Sequence, residues 1–194
     1  MATTAGRMPQ RRMLLPNQIL GMGIFIVTEM MFFAGLISAY SISRAGAISW
    51  PPPGQPRLPI EVTAINTLIL AASGFIMYRA DRAAKASGRL DAIAVQVGHA
   101  AILGATFVLV QGIEWARLLQ YGLRLGASGL YGSFFYLIVG AHALHALGGI
   151  TVLLWFRRGI RKGTVSIDTL HAVTMFWVFV AGLWPILYTL VYLW

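Results

Sequence analysis

Cysteine is absent from the 194 residues. That excludes disulfides and thiolate metal sites, and it leaves the compartment unassigned. Acidic residues are almost as scarce: Asp and Glu together number 6, and all charged residues make up 11% of the chain. With so few polar groups, nothing resembles a nucleophile and base pair, and no complete metal-ligand set can be assembled. Residues 1–10 lack the apolar core of a secretory signal. The first apolar run is too long for one and has no A-x-A cleavage site. No internal repeat of the kind carried by transporters is present.

What is there in abundance is hydrocarbon. Hydrophobic residues are 58% of the chain, more than a soluble domain of this length can hide, so lipid must be the solvent for much of it. The fold class is all-α: a polytopic membrane protein of five transmembrane helices in one bundle. The runs predict helices over about 17–43, 60–79, 90–121, 130–156 and 168–194, with Asp168 as N-cap of the last. A basic arm, residues 1–16, precedes them. Between the first two, WPPPGQP contains Pro51, Pro52, Pro53 and Pro56, which exclude helix and predict a stiff loop with Trp50 as an interfacial anchor. Trp177, Trp184, Tyr188, Tyr192 and Trp194 suit a lipid-facing, interfacial last helix, and Pro185 is expected to kink it.

The formal charge of +9 does not indicate nucleic acid, because the cations are clustered between apolar runs. Arg7, Arg11, Arg12, Arg79, Arg82, Lys85, Arg89, Arg157, Arg158, Arg161 and Lys162 fall on one side, and Arg44, Arg57, Arg117 and Arg124 on the other. That asymmetry places the N-terminus inside and the C-terminus outside. Arg79, Arg82, Arg157, Arg158, Arg161 and Lys162 are candidates for binding anionic lipid headgroups. The setting is multi-pass in the cell's inner (cytoplasmic) membrane.

Few polar side chains lie at depth, and each has a plain and a sharper reading. Glu29 sits in FIVTEMMFFAGLISAY, roughly 18 Å from the inner end of its helix. A charge there is costly, so Glu29 is either a buried carboxyl hydrogen-bonded to a neighbouring helix, or a proton-linked or subunit-interface group. His145 lies at the same level, with His142 one turn further out on the same face. These two histidines read as interhelical hydrogen-bonding groups or as part of a shared metal site, which would need further ligands. His99 and His145 could instead supply two axial ligands to a haem. Asn66 and Thr67 are candidates for capping or bridging helices near the outer side. Glu114 and Arg117 read as a local ion pair.

Four blocks together resemble the subunit III family of haem-copper oxidases. FIVTEMMFFAGLISAY is similar to the family's Ser-Glu-x-x-x-Phe helix, with Thr28 at the serine position and Glu29 at the acidic one. WPPPG followed by INTLILAASG resembles its Trp-Pro-Pro loop and Asn-Thr helix. QGIEW followed by GLYGSFFYLIVGAHALHALGG resembles its Glu-bearing helix end and Gly-x-His-x-x-His helix. MFWVFVAGLWPILYTLVYLW resembles its closing helix. The blocks keep the family's order and correspond to a five-helix form. One departure stands out: where the family's last helix reads Trp-His-Phe-Val-Asp, this chain has Val178 and Ala181.

The resemblance implies a subunit with no cofactor or catalytic centre of its own. Such a subunit packs beside a catalytic subunit I, which holds haem and copper, and beside subunit II. It also implies bound phospholipid and support for proton uptake and for the durability of the catalytic subunit during oxygen reduction. The alternatives are a homologue serving a nitric oxide reductase or another respiratory complex, a b-type haem electron carrier, and a small proton-coupled transporter.

Overall fold

In hydrocarbon a segment must satisfy its own backbone hydrogen bonds, and a long apolar run does so by forming a helix. The computed structural model describes residues 16–123, 126 and 128–193. Helix α1 spans Asn17–Ala45, α2 Ile60–Ser87, α3 Ala94–Gln120, α4 Gly129–Lys162 and α5 Ile167–Tyr188. A 3-10 turn, Asp91–Ile93, leads into α3, and a π-helical stretch, Thr189–Leu193, follows α5. Among the described residues there is no strand. All five helices are long and apolar enough to cross a membrane, so the chain is an all-α, multi-pass membrane protein. Arg7, Arg11 and Arg12 of the basic arm, Arg124 and Trp194 lie outside the described residues.

Two helices run past their apolar stretches. Helix α2 continues through Arg82 and Lys85 to Ser87, and α4 through Arg157, Arg158 and Arg161 to Lys162. Lys and Arg are good helix formers, and cations in a last turn complement the helix dipole. Both helices stop at glycines in the left-handed region, Gly88 at φ 68° and Gly163 at φ 67°. The N-cap of α5 is Ser166, whose hydroxyl accepts from the Thr169 amide at 3.2 Å; Asp168, expected to cap, stands in the first turn.

The last helix corrects the sequence-based expectation of a lipid-facing element. Trp177 and Trp184 are wholly buried and Tyr192 nearly so. Helix α5 is central, packing against α1, α2 and α4. Trp177 is its keystone. A Cβ on Gly104 of α3 or on Gly149 of α4 would come within 2.6 Å of the Trp177 ring, so these two glycines form the slot that receives the indole. Trp177 Nε1 donates to Ser73 Oγ at 2.9 Å, and Ser73 donates onward to the Ala100 carbonyl at 2.7 Å. One side chain thereby joins four helices. Helix α1 is peripheral: only Phe33 and Tyr40 are buried, and it lies against α4 and α5.

Cross-contacts fix which helix ends lie together. His171 at the start of α5 meets Asp81 near the end of α2. Arg157 near the end of α4 meets Ala94 at the start of α3. Thr169 meets Gln18 at the start of α1. Every described residue of the larger basic group therefore sits at one end of the bundle. At the other end, Trp50 donates to the Tyr40 hydroxyl at 3.2 Å and packs edge-on against Tyr131, folding the proline-rich loop back onto α1 and α4.

Candidate functional site

The rise along a helix puts Glu29 and His145 level, and the packing of α1 on α4 brings them together. His145 Nε2 lies 2.9 Å from Glu29 Oε2, with both side chains less than one-fifth exposed. The other ring nitrogen, Nδ1, lies 2.8 Å from the Ala141 carbonyl of the preceding turn. A carbonyl only accepts, so Nδ1 carries a proton. With Nδ1–H fixed, Nε2 of neutral imidazole is an acceptor. The 2.9 Å contact then has two consistent forms. Either protonated Glu29 donates to neutral His145, or imidazolium donates to carboxylate. One proton separates them, it lies on a single hydrogen bond, and the pair has no net charge in either form. A pair without net charge is the arrangement in which a carboxyl inside an apolar helix run costs least. Phe33, one turn along α1, packs edge-on against the His145 ring at 5.4 Å and covers the pair from one side.

The two histidines do not act together. Three helical residues turn about 300°, leaving the two directions about 60° apart. His145 reaches α1, whereas His142 is fully buried towards α3 and α5, with the Trp184 ring 4.9 Å away and the Phe107 ring edge-on at 6.0 Å. His99 lies on the exposed face of α3. Both nitrogens of His145 are engaged, so the geometry does not present His99 and His145 as a pair of axial ligands. Among the described residues, no three of His, Asp and Glu converge as metal ligands.

Two of the remaining polar candidates, Asn66 and Thr67, tie helices together. Asn66 Nδ2 donates to the Phe107 carbonyl at 3.0 Å, joining α2 to α3. Thr67 Oγ1 accepts from Trp184 Nε1 at 2.9 Å, joining α2 to α5. Glu114 is buried and pairs with Arg117 at 2.7 Å on its own helix. Of the cationic candidates, Arg157 turns inward. Its Nε donates to the Ala94 carbonyl at 3.1 Å, and Gly98 leaves room for the guanidinium. Arg79, Arg82, Arg158, Arg161 and Lys162 are exposed.

Sequence reasoning missed a second cluster. Asp81 is buried, and its Oδ2 lies 2.9 Å from Lys85 Nζ and 3.1 Å from His171 Nδ1. Lys85 Nζ is also 2.7 Å from His171 Nδ1. The i, i+4 spacing of Asp81 and Lys85 was the available signal. The participation of His171 depends on how α5 packs on α2. The Val178 and Ala181 departures also acquire a setting. Helices α2 and α5 approach so closely that a Cβ on Gly74 would come within 2.8 Å of the Ala181 Cβ, while Val178 faces outward. An open apolar groove of about 500 Å³ runs between α1 and α5, lined by Ile19, Ile24, Val27 and Met175 among others.

The family model described as cytochrome c oxidase subunit III matches residues 13–194. A protein of Synechocystis sp. named cytochrome c oxidase subunit 3 is 31% identical over 182 residues, covering 91% of this chain and 75% of its own. A protein of Thermostichus vulcanus with the same name is 34% identical over 184 residues, covering 91% and 87%. A Mycobacterium bovis protein, named probable cytochrome c oxidase subunit 3, is 35% identical over 184 residues, covering 91% and 88%.

Proposed function

The chain belongs to the cytochrome c oxidase subunit III family, and on that premise we propose that it is a non-redox accessory subunit of a haem-copper terminal oxidase. The observation that carries this reading is the match along nearly the whole length, to relatives of similar length that bear the subunit's name. In this role haem and copper reside in a partner, the catalytic subunit I, with subunit II as the other neighbour. The present chain contributes surface, lipid contacts and protonatable groups.

The Glu29–His145 pair is the functional centre of this proposal. It lies at the seam of α1 and α4, and α1 has only two of its side chains buried, so the pair sits close to a face open for contact with another subunit. Its single proton position lets it answer a charge change in that neighbour with no net charge of its own in either resting form. The basic end of the bundle faces the cytoplasm in this reading. There Arg79, Arg82, Arg158, Arg161 and Lys162 meet anionic headgroups, and the α1–α5 groove accepts an acyl chain.

The deciding experiment is purification of the tagged chain in mild detergent. A co-purifying large subunit with haem absorbance supports the reading. Purification as a single chain that carries its own Soret band would replace it with the haem-carrier alternative.

A further inference from the structure

At the basic end of the bundle, three side chains of α2 and α5 converge in a cluster separate from the Glu29–His145 pair. The Asp81 side chain is 6% exposed, whereas Lys85 keeps 44% and His171 29%. Lys85 Nζ, Asp81 Oδ2 and His171 Nδ1 form a triangle. Its sides are 2.9 Å from Nζ to Oδ2, 3.1 Å from Oδ2 to Nδ1 and 2.7 Å from Nζ to Nδ1. The second carboxylate oxygen, Oδ1, is buried and has no hydrogen-bond partner among the described residues, so both neighbours meet Asp81 at Oδ2. An ammonium only donates and a carboxylate only accepts, whereas an imidazole nitrogen does one or the other according to whether it carries a proton. The three sides therefore cannot all be hydrogen bonds at once. With Nδ1 bare, Lys85 donates to both Nδ1 and Oδ2, and the imidazole proton is on Nε2. With Nδ1 protonated, the ring donates to Oδ2, and Nζ becomes a donor facing a donor and has to leave. The 2.7 Å side is that of the bare nitrogen.

We propose that His171 Nδ1 is a proton-binding site whose occupancy decides where Lys85 points. With Nδ1 bare, Lys85 is held inward and bridges Asp81 to His171. When Nδ1 takes a proton from the water that reaches the part-exposed ring, it takes over Asp81, and Lys85 swings outward on its flexible stem. The buried carboxylate faces one cation in either state, and α2 stays tied to α5. What changes is the surface, where a released ammonium joins the exposed Arg79 and Arg82. Histidine suits this task because its charge ordinarily changes between about pH 5 and 8. The surroundings hold no rival for the proton. On α2, Arg82 is turned to the Tyr78 hydroxyl at 3.2 Å. The start of α1 meets α5 through neutral Gln18. On α4, Arg157 is turned to the Ala94 carbonyl, and Arg158, Arg161 and Lys162 are exposed. Asp168, one turn earlier on α5, is exposed, and among the described residues Asp81 is the sole carboxylate paired with His171. The proposal rests on the triangle alone and is independent of the family assignment.

Solid-state NMR of the full chain in bilayers, with 15N-labelled histidine and lysine, tests this directly, and His171→Gln assigns the His171 signals. At about pH 8, Nδ1 is expected to be bare, with Nε2 protonated and Nδ1 in contact with Lys85 Nζ. At about pH 5, both ring nitrogens are expected to carry protons and the contact with Nζ to be lost. Lys85→Met is expected to move the proton of the neutral ring from Nε2 to Nδ1, because Asp81 has then lost its other donor. A protonated Nδ1 in the wild type at the higher pH overturns the proposal. So does a contact between Nδ1 and Nζ that survives acidification, or a tautomer that Lys85→Met leaves unmoved. Should Lys85→Met fail to assemble, the two wild-type spectra decide alone.

Discussion

Nδ1 of His145 has its role dictated by the Ala141 carbonyl, and that constraint carries over to Glu29. Replacing Glu29 by Gln keeps a donor, the amide NH2, for neutral Nε2, so the helix contact should persist while the exchangeable proton is lost. The variant is therefore expected to assemble normally and to change proton uptake or turnover-linked inactivation of the complex; unchanged values for both would reduce Glu29 to a tolerated buried acid. His145→Leu is a different perturbation. It leaves a partly buried carboxyl without its partner, a loss on the order of 1–3 kcal/mol. Thermal unfolding in detergent should show His145→Leu well below Glu29→Gln.

Packing around Trp177 decides the element scale. Gly104 and Gly149 are not hinges; they are the floor and wall of an indole slot. The atoms a new Cβ would strike belong to a rigid ring enclosed on all sides, so the slot cannot yield by rotating a flexible chain end. Gly149→Ala should therefore cost about 1–3 kcal/mol, the usual penalty for overpacking a full core. Gly148→Ala, one residue away with no atom within 4 Å of the added Cβ, should be near neutral. Paired melting curves of the two variants check this. Trp177→Phe opens the slot and removes the indole N–H that donates to Ser73 Oγ, while the Ser73 hydroxyl keeps its bond to the Ala100 carbonyl. It should lower stability by the lost hydrogen bond, about 1 kcal/mol, plus the cost of the void.

At the scale of the whole molecule the bundle is electrically polar along its long axis. Its described cations are concentrated at one end, and the orientation inferred from them is open to a clean test because the chain has no native cysteine. Arg161→Cys and Ile48→Cys place one thiol at each end, both on exposed residues. In intact cells an impermeant maleimide should label the cysteine at 48 and leave that at 161 until the membrane is opened; the reverse pattern would invert the topology. Neutralising Arg158, Arg161 and Lys162 together should reduce the anionic phospholipid that co-purifies with the chain, measured by lipid mass spectrometry.

The sequence by itself determined the class, the five apolar helices and the level of each polar group along its helix, because helix rise follows from local backbone geometry. It placed Glu29 and His145 on one level for that reason. Rotation about each helix axis was decided only by tertiary packing. In water an apolar stripe marks the inward face, but in a bilayer the lipid-facing side is as apolar as the core, so that signal vanishes. Hence the aromatic residues of α5 read as lipid-facing while Trp177 and Trp184 are the centre of the bundle. Hence also His142 and His145, adjacent on one helix, serve different interfaces. Asp81 and His171, 90 residues apart, meet only because α5 packs on α2. Level along a helix belongs to the chain, and facing belongs to the fold.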